Sequence, residues 1–307
     1  MLIRIESAFN LESTLDSGQA FRWQNRGDYF EGVIDKSIIL IKKSSDGIEF
    51  ESFPQSEKEF KTKLRYYLSL HDDLELISQS IAVDRNIQSY IDQYYGMRIL
   101  KQDPWECLIS FICSSNSNVS RVKKNIEDMS AAFGERIEAF GSVRHTFPSP
   151  NQLENANIPA LRRLRLGYRA EYIYEAAKMV SQHVINPWSL VEESYEEALH
   201  TLTKIPGVGD KVANCIMLFS MGKDDAFPVD VWIDRIIKEL YPEELDDYIQ
   251  SKYLNQSATK KRAKDIPKSQ SINRRIIKDW AREYFGDYAG WANHYMFHER
   301  RKRLLRS

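Results

Sequence analysis

The sequence predicts an α+β protein, with an antiparallel β-rich N-terminal domain packed on a larger all-helical domain. Three observations favour this class. The early part of the chain has short runs rich in Ile, Val, Phe and Tyr, broken by Gly and Asp. From about residue 58 apolar residues recur at helical spacing, and beyond about residue 95 almost everything has a helical pattern. We therefore expect a β-rich domain at residues 1–95 and a helical domain at 96–307.

Composition sets limits on the class of protein. The chain has 307 residues, of which 42% are hydrophobic and 28% charged, as in soluble globular proteins. It contains no apolar run near the roughly 18 residues of a membrane span, and its start does not resemble a signal peptide. The net charge of −1 excludes nucleic-acid binding by bulk charge, so any such contact must come from local groups.

The three cysteines, Cys107, Cys113 and Cys215, are too few for a disulfide framework. They also lack the paired spacing of a zinc or iron–sulfur site. We expect a reducing compartment, no metal and no cofactor.

The strands are predicted first along the chain. "FRWQ" is followed by "YFEGVIDKSIILIKK" and "DGIEFESF", which are typical of strands joined by tight turns. The segments "EKEFKTKLRYYLSL" and "DLELISQSIAV" then predict the first helices.

Helix boundaries are readable in the second half. Asp103 before Pro104 and Glu106 is typical of a capped helix start, and Gly134 is expected to end the next helix. "LRRLRLGYRAEYIYEAAKMVSQHV" and "SYEEALHTLTKI" continue the helical series. Residues 245–272 are polar and weakly patterned, so we expect a mobile insertion between helices there.

The segment "IPGVGDKVANC" predicts a helix-hairpin-helix at about residues 195–221. Gly207 and Gly209 allow a tight turn that leaves main-chain N–H groups beside a helix N-terminus. Such a site favours an anion, and a DNA phosphate is one. The alternative is a helix–helix turn that merely requires glycine.

Lys211 lies at the mouth of the second hairpin helix. Burial and a helix N-terminus both lower the pKa of a lysine, and a neutral amine is a nucleophile that forms Schiff bases. The alternative is a solvated lysine that contacts a phosphate.

Asp230 follows the hairpin in "FPVDVWIDRI". A helix over about 211–221 runs roughly 16 Å, and the extended residues 222–229 span roughly 27 Å, so the chain can return to the start of that helix. Asp230 is then able to face Lys211 across a cleft. It also stands where a helix N-cap is expected, and the cap alone is the alternative.

At this point the residues resemble a known family. "IPGVGDKVANC" with "FPVDVWIDRI" is similar to the helix-hairpin-helix and downstream Asp signature of DNA base-excision glycosylases. "SGQAFRW", "DPWECLISFICSSNSNVSRV", "LRLGYRAEYI" and "GWANHYMF" resemble eukaryotic-type 8-oxoguanine DNA glycosylases in order and spacing. The resemblance runs from about residue 9 to 298.

The resemblance implies a bifunctional glycosylase and abasic-site lyase that removes 8-oxoguanine opposite cytosine and nicks the strand by β-elimination. Lys211 is the implied nucleophile at the sugar C1′ and forms the Schiff base, and Asp230 stabilises the positive charge on the sugar. The Gly18 carbonyl accepts the N7–H that guanine lacks. Phe297 and Cys215 cover the two faces of the flipped base, and Lys211 and Cys215 lie at i and i+4 on one helix face.

The resemblance also implies DNA contacts. Asn116 enters the gap left by the flipped base, Arg121 and Arg169 donate to the estranged cytosine, and Tyr168 wedges beside it. The hairpin main chain contributes the phosphate contacts, at Gly207, Val208 and Gly209. Because the full cytosine-reading set is present, we expect a strong preference for cytosine opposite the lesion.

Two positions depart from the eukaryotic pattern. Trp232 stands where histidine is usual, which puts a phosphate contact in doubt. Asn293 stands where a glutamine reads the Watson–Crick edge. Asparagine is one methylene shorter, so it must approach more closely or use a water.

Two alternatives stay open. A different helix-hairpin-helix glycosylase for thymine glycol or adenine usually carries a C-terminal four-cysteine cluster, but this chain has no cysteine after Cys215. A noncatalytic DNA-binding module predicts that Lys211 is replaceable. The expected partner is damaged double-stranded DNA, with no membrane. The expected state is a monomer located with the genome.

Overall fold

The structure is a computed structural model, and it describes residues 1–254 and 270–306. It divides into two compact units. The first unit consists of residues 1–74 and 94–222, and the second of residues 75–93 and 223–307. The units interleave along the chain, and the sequence-defined domain boundary at residue 95 stays a prediction.

An antiparallel sheet dominates the start of the first unit, in the order β1-β5-β4-β3-β2. Its strands are β1 Leu2–Arg4, β2 Gln24–Asn25, β3 Phe30–Ile34, β4 Ser37–Ser44 and β5 Gly47–Phe53. Ile39 in the central strand pairs with Gly32 on one side and Ser52 on the other. The predicted α+β class with an antiparallel β-rich start is confirmed.

The sheet fixes the segment that precedes it. The Trp23 ring lies against Gly32, where an added Cβ atom would overlap the ring, so only glycine fits there. The Trp23 indole Nε1 also donates to the Tyr67 hydroxyl at 2.9 Å. These contacts hold the last residue of the "SGQAFRW" motif.

Helices make up most of the rest of the first unit. They are α1 Leu11–Leu15, α2 Glu57–Tyr67, α5 Pro104–Ser114, α6 Val119–Phe133, α7 Pro150–Asn155, α8 Asn157–Arg163, α9 Arg169–Ser181, α10 Tyr195–Leu202 and α11 Asp210–Ser220. Asp103 caps α5 by accepting from the main-chain N–H groups of Trp105 and Glu106, as predicted. Gly134 ends α6, also as predicted.

A second, two-stranded sheet was missed by the sequence patterns. It pairs β6 Arg136–Ala139 with β7 Ser142–His145, and Phe140 and Gly141 in the turn have positive φ. The strands are short and carry charged residues, so neither apolar alternation nor length distinguishes them from a loop.

The second unit is helical. Its helices are α3 Leu74–Ile81, α4 Arg85–Gln93, α12 Val231–Leu240, α13 Pro242–Ile249, α14 Gln270–Phe285 and α15 Ala289–Arg306. An aromatic cluster forms part of its core, with Trp280 stacked on Tyr284 at 4.9 Å and Tyr241 within 5.9 Å of Phe285. The Tyr241 hydroxyl donates to Asp84 at 3.0 Å, which joins α4 to the end of α12.

The predicted polar insertion at 245–272 is partly helical. Residues 245–249 complete α13, a π-helical turn follows over Gln250–Leu254, and α14 starts at Gln270. Pro242 starts α13 and Leu245 is buried, which explains why a polar segment still folds. The remaining residues, 255–269, and the mobility expected of them lie outside the described residues. Within the described ranges, no helix has the length and apolarity needed to cross a membrane.

Candidate active site

The side chain of Lys211 lies in the first turn of α11 and is half-buried against α5. Its Nζ is 5.4 Å from the centre of the Phe111 ring and 3.4 Å from the Ser114 Oγ. The Ser114 hydroxyl donates to the Phe111 carbonyl at 2.8 Å, so its oxygen presents a lone pair to the lysine. Two contacts from one helix therefore hold the amine in place.

Phe111 also connects three segments of the first unit. Its ring stacks on Phe219 of α11 at 5.5 Å and meets Phe21 edge-on at 5.7 Å. Aromatic pairs of this kind have preferred geometries. Phe111 thus links the "SGQAFRW" segment to the helix that carries Lys211.

The hairpin before α11 has the geometry that the glycines predict. Gly207 has φ of +85°, and a Cβ atom there would lie 2.6 Å from the Tyr172 ring. Gly209 is the N-cap of α11 and has open space around it. The Val208 N–H donates to the Ile205 carbonyl at 3.0 Å, so this donor serves the turn itself.

The two hairpin helices are tied together by a buried polar pair. The Tyr195 hydroxyl of α10 donates to Asn214 Oδ1 of α11 at 2.8 Å. Asn214 in turn donates to the Asp210 carbonyl at 2.8 Å. Because both helix starts are joined, the N-terminus of α11 is held in a fixed direction.

Gly18 lies in the loop between α1 and β2, with φ of +89°. Gly18 is partly exposed, whereas its neighbours Ser17 and Gln19 are 0% and 1% exposed. Glycine adopts this φ without strain. Cys215 lies one turn after Lys211 on α11 and is 3% exposed, so its thiol is buried.

Three predicted DNA-contact residues lie together. Asn116, just after α5, has φ of +50° and donates through Nδ2 to the Tyr168 hydroxyl at 3.2 Å. The Arg169 guanidinium lies 4.7 Å from the centre of the Tyr168 ring. Tyr168 meets Tyr172 edge-on at 5.8 Å, and Tyr172 contacts Gly207, so this group is continuous with the hairpin.

The two predicted cytosine-reading arginines differ in environment. Arg169 is 5% exposed, and its guanidinium donates to the carbonyls of Ser115, Asn116 and Leu166. Arg169 is therefore not a solvated residue on the helix surface, and its contact with cytosine stays a prediction. Arg121 is exposed, with one donor 3.4 Å from the Arg165 carbonyl.

Asp230 is the N-cap of α12 in the second unit. Its Oδ1 accepts from the main-chain N–H groups of Trp232 at 2.8 Å and Ile233 at 2.9 Å. The predicted cap is thus present. Both hydrogen bonds end on one carboxylate oxygen, so they fix the orientation of the Asp230 side chain at the helix start.

The remaining predicted residues also lie in the second unit. Asn293 is 4% exposed and donates to the Pro228 carbonyl at 3.0 Å, which holds the segment before Asp230 against α15. Phe297, one turn later on α15, is half-buried, as is Trp232 in the first turn of α12. The short Asn293 side chain thus has one of its two amide N–H donors engaged within the protein.

A buried charge network includes Arg22, which follows Gly18 in the loop between α1 and β2. Arg144 of β7 pairs with Glu31 of β3 at 2.7 Å and with Glu127 of α6 at 2.9 Å, and Arg22 lies 3.4 Å from the same Glu127. Burial acts to raise the pKa of Glu31, but hydrogen bonds from Ser142 and Arg144 and the charge of Arg144 lower it overall.

Glu106 of α5 belongs to the same network but titrates in the opposite direction. Burial raises the pKa of Glu106 to about 7, although the Arg22 guanidinium 3.9 Å away opposes the shift. Its side chain is 19% exposed.

Sequence patterns missed several contacts at these sites. Ser114 and Phe111 hold Lys211, and Tyr172 supports both the hairpin and Tyr168. The only sequence signal for Tyr172 is its i+4 spacing from Tyr168 on a helix. Among the residues with described side chains, no group of His, Cys, Asp or Glu is arranged to hold a metal ion.

A helix-hairpin-helix with a lysine at the following helix N-terminus, beside an antiparallel sheet, defines a DNA base-excision repair protein. Residues 1–108 match the 8-oxoguanine DNA glycosylase N-terminal domain, and residues 109–261 match the HhH-GPD superfamily of base excision DNA repair proteins. The N-glycosylase/DNA lyase of Saccharomyces cerevisiae is 30% identical, and the alignment covers 95% of this chain and 83% of the relative. The chain belongs to the 8-oxoguanine DNA glycosylase family.

Solved structures agree with this assignment. The structure of MBOgg1 with a low-affinity DNA ligand is 33% identical with a TM-score of 0.84, covering 98% of this chain and 94% of that one. The Clostridium acetobutylicum 8-oxoguanine glycosylase/lyase, in complex with double-stranded DNA containing cytosine opposite 8-oxoG, is 28% identical with a TM-score of 0.82. That alignment covers 99% of this chain and 98% of the relative. The family predicted from the motifs is confirmed.

Proposed function

We propose that the protein excises 8-oxoguanine opposite cytosine from duplex DNA and then nicks the strand, with Lys211 as the nucleophile. The observation that carries the proposal is the position of Lys211, in the first turn of the hairpin helix and held by Phe111 and Ser114. The relative from C. acetobutylicum, described with cytosine opposite 8-oxoG, supports the choice of base pair.

The chemistry begins with the lesion nucleotide flipped out of the duplex, since C1′ is inaccessible in the stack. The Lys211 amine attacks C1′ with its lone pair, the N-glycosidic bond breaks with its electron pair leaving on the base, and one amine proton passes to the departing base. The C1′–O4′ bond then breaks, O4′ takes a proton from water, and a protonated Schiff base forms between Nζ and C1′. Loss of a C2′ proton then expels the 3′ phosphate by β-elimination, which nicks the strand.

Asp230 stabilises the positive charge that develops on the sugar as the base leaves. Its Oδ1 accepts both capping hydrogen bonds. The second carboxylate oxygen carries the electrostatic role, so one side chain serves both the helix and the reaction.

Base recognition rests on one hydrogen bond that only the lesion can make. The Gly18 carbonyl accepts the N7–H of 8-oxoguanine, and guanine leaves that acceptor without its partner. Cys215 and Phe297 cover the faces of the base. Asn293 contributes to the Watson–Crick edge through its carbonyl, its second amide N–H or a water, because one Nδ2 hydrogen donates to Pro228.

Recognition of the opposite strand uses the group around Tyr168. Asn116 fills the gap and Tyr168 wedges beside the cytosine, while Arg121 and Arg169 donate to it. Arg169 already donates to three carbonyls, so the exposed Arg121 is the more available donor. The main-chain N–H groups of Gly207 and Gly209 bind phosphates, because the Val208 N–H already donates to Ile205. Trp232 lies against the DNA backbone, and the protein acts as a monomer located with the genome.

A panel of duplexes tests the proposal. Each duplex carries 8-oxoguanine opposite cytosine, adenine, guanine or thymine, and base release and strand cleavage are measured separately. We expect fastest release opposite cytosine, and Arg121→Gln should reduce that preference by roughly tenfold because one base contact is worth about 1–3 kcal/mol. Lys178→Gln, an exposed lysine change on α9, is the matched control for loss of positive charge.

Two outcomes would contradict the proposal. Release that is fastest from a duplex with another damaged base indicates a different glycosylase. Binding without base release from any duplex indicates the noncatalytic DNA-binding module.

A further inference from the structure

The side chain of Gln19, the residue directly after Gly18, is buried and hydrogen-bonded within the protein. Its carbonyl Oε1 accepts from one main-chain N–H, and its Nε2 donates to two main-chain carbonyls and one hydroxyl. The partners are Leu100 N at 2.8 Å, Thr14 O and Arg98 O at 2.9 Å each, and Ser17 Oγ at 3.0 Å. One amide therefore ties the loop to α1 and to the segment before α5.

Gln102 extends this arrangement to the nucleophile helix. Its Nε2 donates to the Gln19 carbonyl at 2.9 Å, and its main-chain N–H donates to the Phe219 carbonyl at 2.9 Å. Phe219 lies in the last turn of α11, one turn after Cys215. Gln102 is 8% exposed, so water does not compete freely for these bonds.

These bonds restrict the peptide group that contains the Gly18 carbonyl. Gly18 at φ +89° is flexible by itself, because glycine has no Cβ. Ser17 is held on one side through its hydroxyl, and Gln19 is held on the other through its side chain and its own carbonyl. The residues on both sides of Gly18 are therefore held in place, which fixes the position of the loop that carries the Gly18 carbonyl.

We infer that Gln19 and Gln102 are positioning residues that aim the Gly18 carbonyl at the lesion and hold it in register with α11. This rests on the proposed function, in which that carbonyl accepts the N7–H. Hydrogen bonds weaken steeply as angle and distance depart from ideal values, so a loop that is free to turn loses discrimination before it loses chemistry.

Gln102→Met tests the inference, because methionine has a similar linear shape and no donor. We measure single-turnover release of 8-oxoguanine and cleavage of a preformed abasic site, both opposite cytosine. In a Lys211→Gln background we also measure the ratio of dissociation constants for guanine and 8-oxoguanine duplexes. Both the release rate and this ratio should fall roughly tenfold, because a less well-held Gly18 carbonyl meets the N7–H at a poorer distance and angle. Abasic-site cleavage should stay within about twofold, because it needs no base recognition.

Thr146→Val is the matched control. Thr146 is 6% exposed and its Oγ1 accepts from the Glu135 N–H at 2.9 Å, so the change also removes one side-chain bond to the main chain. Thr146→Val should lower the thermal unfolding midpoint by about as much as Gln102→Met does. It should leave the ratio of dissociation constants unchanged. If Gln102→Met does not fold, Gln102→Leu, which also lacks a side-chain donor, must give the same result.

A ratio that is unchanged in the Gln102 variant overturns the inference. Equal losses of base release and abasic-site cleavage also overturn it, because they indicate general damage to the fold. Failure of the proposed function is separate, since the wild-type protein would then release no 8-oxoguanine.

Discussion

At the scale of single residues, local contacts fix the positions of the Lys211 and Asp230 side chains. Lys211 is held by the face of the Phe111 ring and by the Ser114 hydroxyl, both from α5. These two contacts position the amine. Asp230 is fixed by two main-chain N–H groups at the start of α12. The cap explains why an acidic residue is stable at this site, and the proposed chemistry explains why it should be aspartate rather than asparagine.

Asp230→Asn separates these two roles. Asparagine caps helices as well as aspartate, so the free energy of unfolding should change by less than about 0.5 kcal/mol. The rate of 8-oxoguanine release should fall roughly 100-fold or more, because the amide cannot stabilise a cationic sugar. Urea unfolding and single-turnover kinetics measure the two effects.

Asp234→Asn is the control on the same helix. Asp234 lies in the first turn of α12, one turn after Asp230, and pairs with Lys238 at 2.7 Å. The change therefore removes a neighbouring carboxylate from the same helix. Its release rate should match the wild type. A full rate in Asp230→Asn would assign that residue to capping alone.

Among the structural elements, the hairpin was the most predictable. Gly207 and Gly209 fix a turn through backbone conformation, which depends on local sequence alone. The β6–β7 hairpin and the burial of Arg169 were not predictable, because both depend on distant partners. Arg169 is buried only because carbonyls after α5 and before α9 accept its donors. The contacts of Lys211 with α5 were missed for the same reason.

Gly207→Ala tests the hairpin geometry. Alanine is strained at φ of +85°, and its Cβ would meet the Tyr172 ring at 2.6 Å. We expect a stability loss of about 1–3 kcal/mol and roughly tenfold weaker binding to duplex DNA, since the turn that presents the main-chain donors must shift.

Gly209→Ala provides the comparison within the same turn. Gly209 has φ of −93°, and nothing lies within 4 Å of the position that an added Cβ atom would take, so stability should change by less than about 1 kcal/mol. Fluorescence anisotropy and thermal unfolding give both quantities. A larger stability loss in Gly209→Ala than in Gly207→Ala would show that the turn is constrained differently.

Across the chain, the sequence predicted the α+β class, the family and the helix starts, because caps, glycine turns and motifs are local signals. It did not predict the buried network of Arg22, Arg144, Glu31, Glu106 and Glu127, whose members come from a loop and from separate strands and helices. That network gives the first unit a pH dependence of its own.

The direction follows from Glu106. Its folded-state pKa, about 7, lies above the unfolded value near 4.5, so its contribution to stability is present below the unfolded pKa and is lost as pH rises through 7. We expect a loss of about 1–3 kcal/mol between pH 4.5 and pH 7.5 that is missing in Glu106→Gln. Urea unfolding across this range measures it.

Glu138→Gln, at an exposed ion pair with Arg136, is the control and should retain the wild-type pH profile. If the free energy of unfolding changes with pH equally in the wild type and in Glu106→Gln, the titrating group is not Glu106.

The role of Lys211 is tested most directly by covalent trapping. The protein is incubated with a duplex that carries 8-oxoguanine opposite cytosine, borohydride is added, and the adduct is digested and mapped by mass spectrometry. Reduction of the Schiff base should leave the sugar on the peptide that contains Lys211, and Lys211→Gln should bind the duplex without forming an adduct. An adduct mapped to another residue, or one that persists undiminished in Lys211→Gln, would show that Lys211 is not the nucleophile.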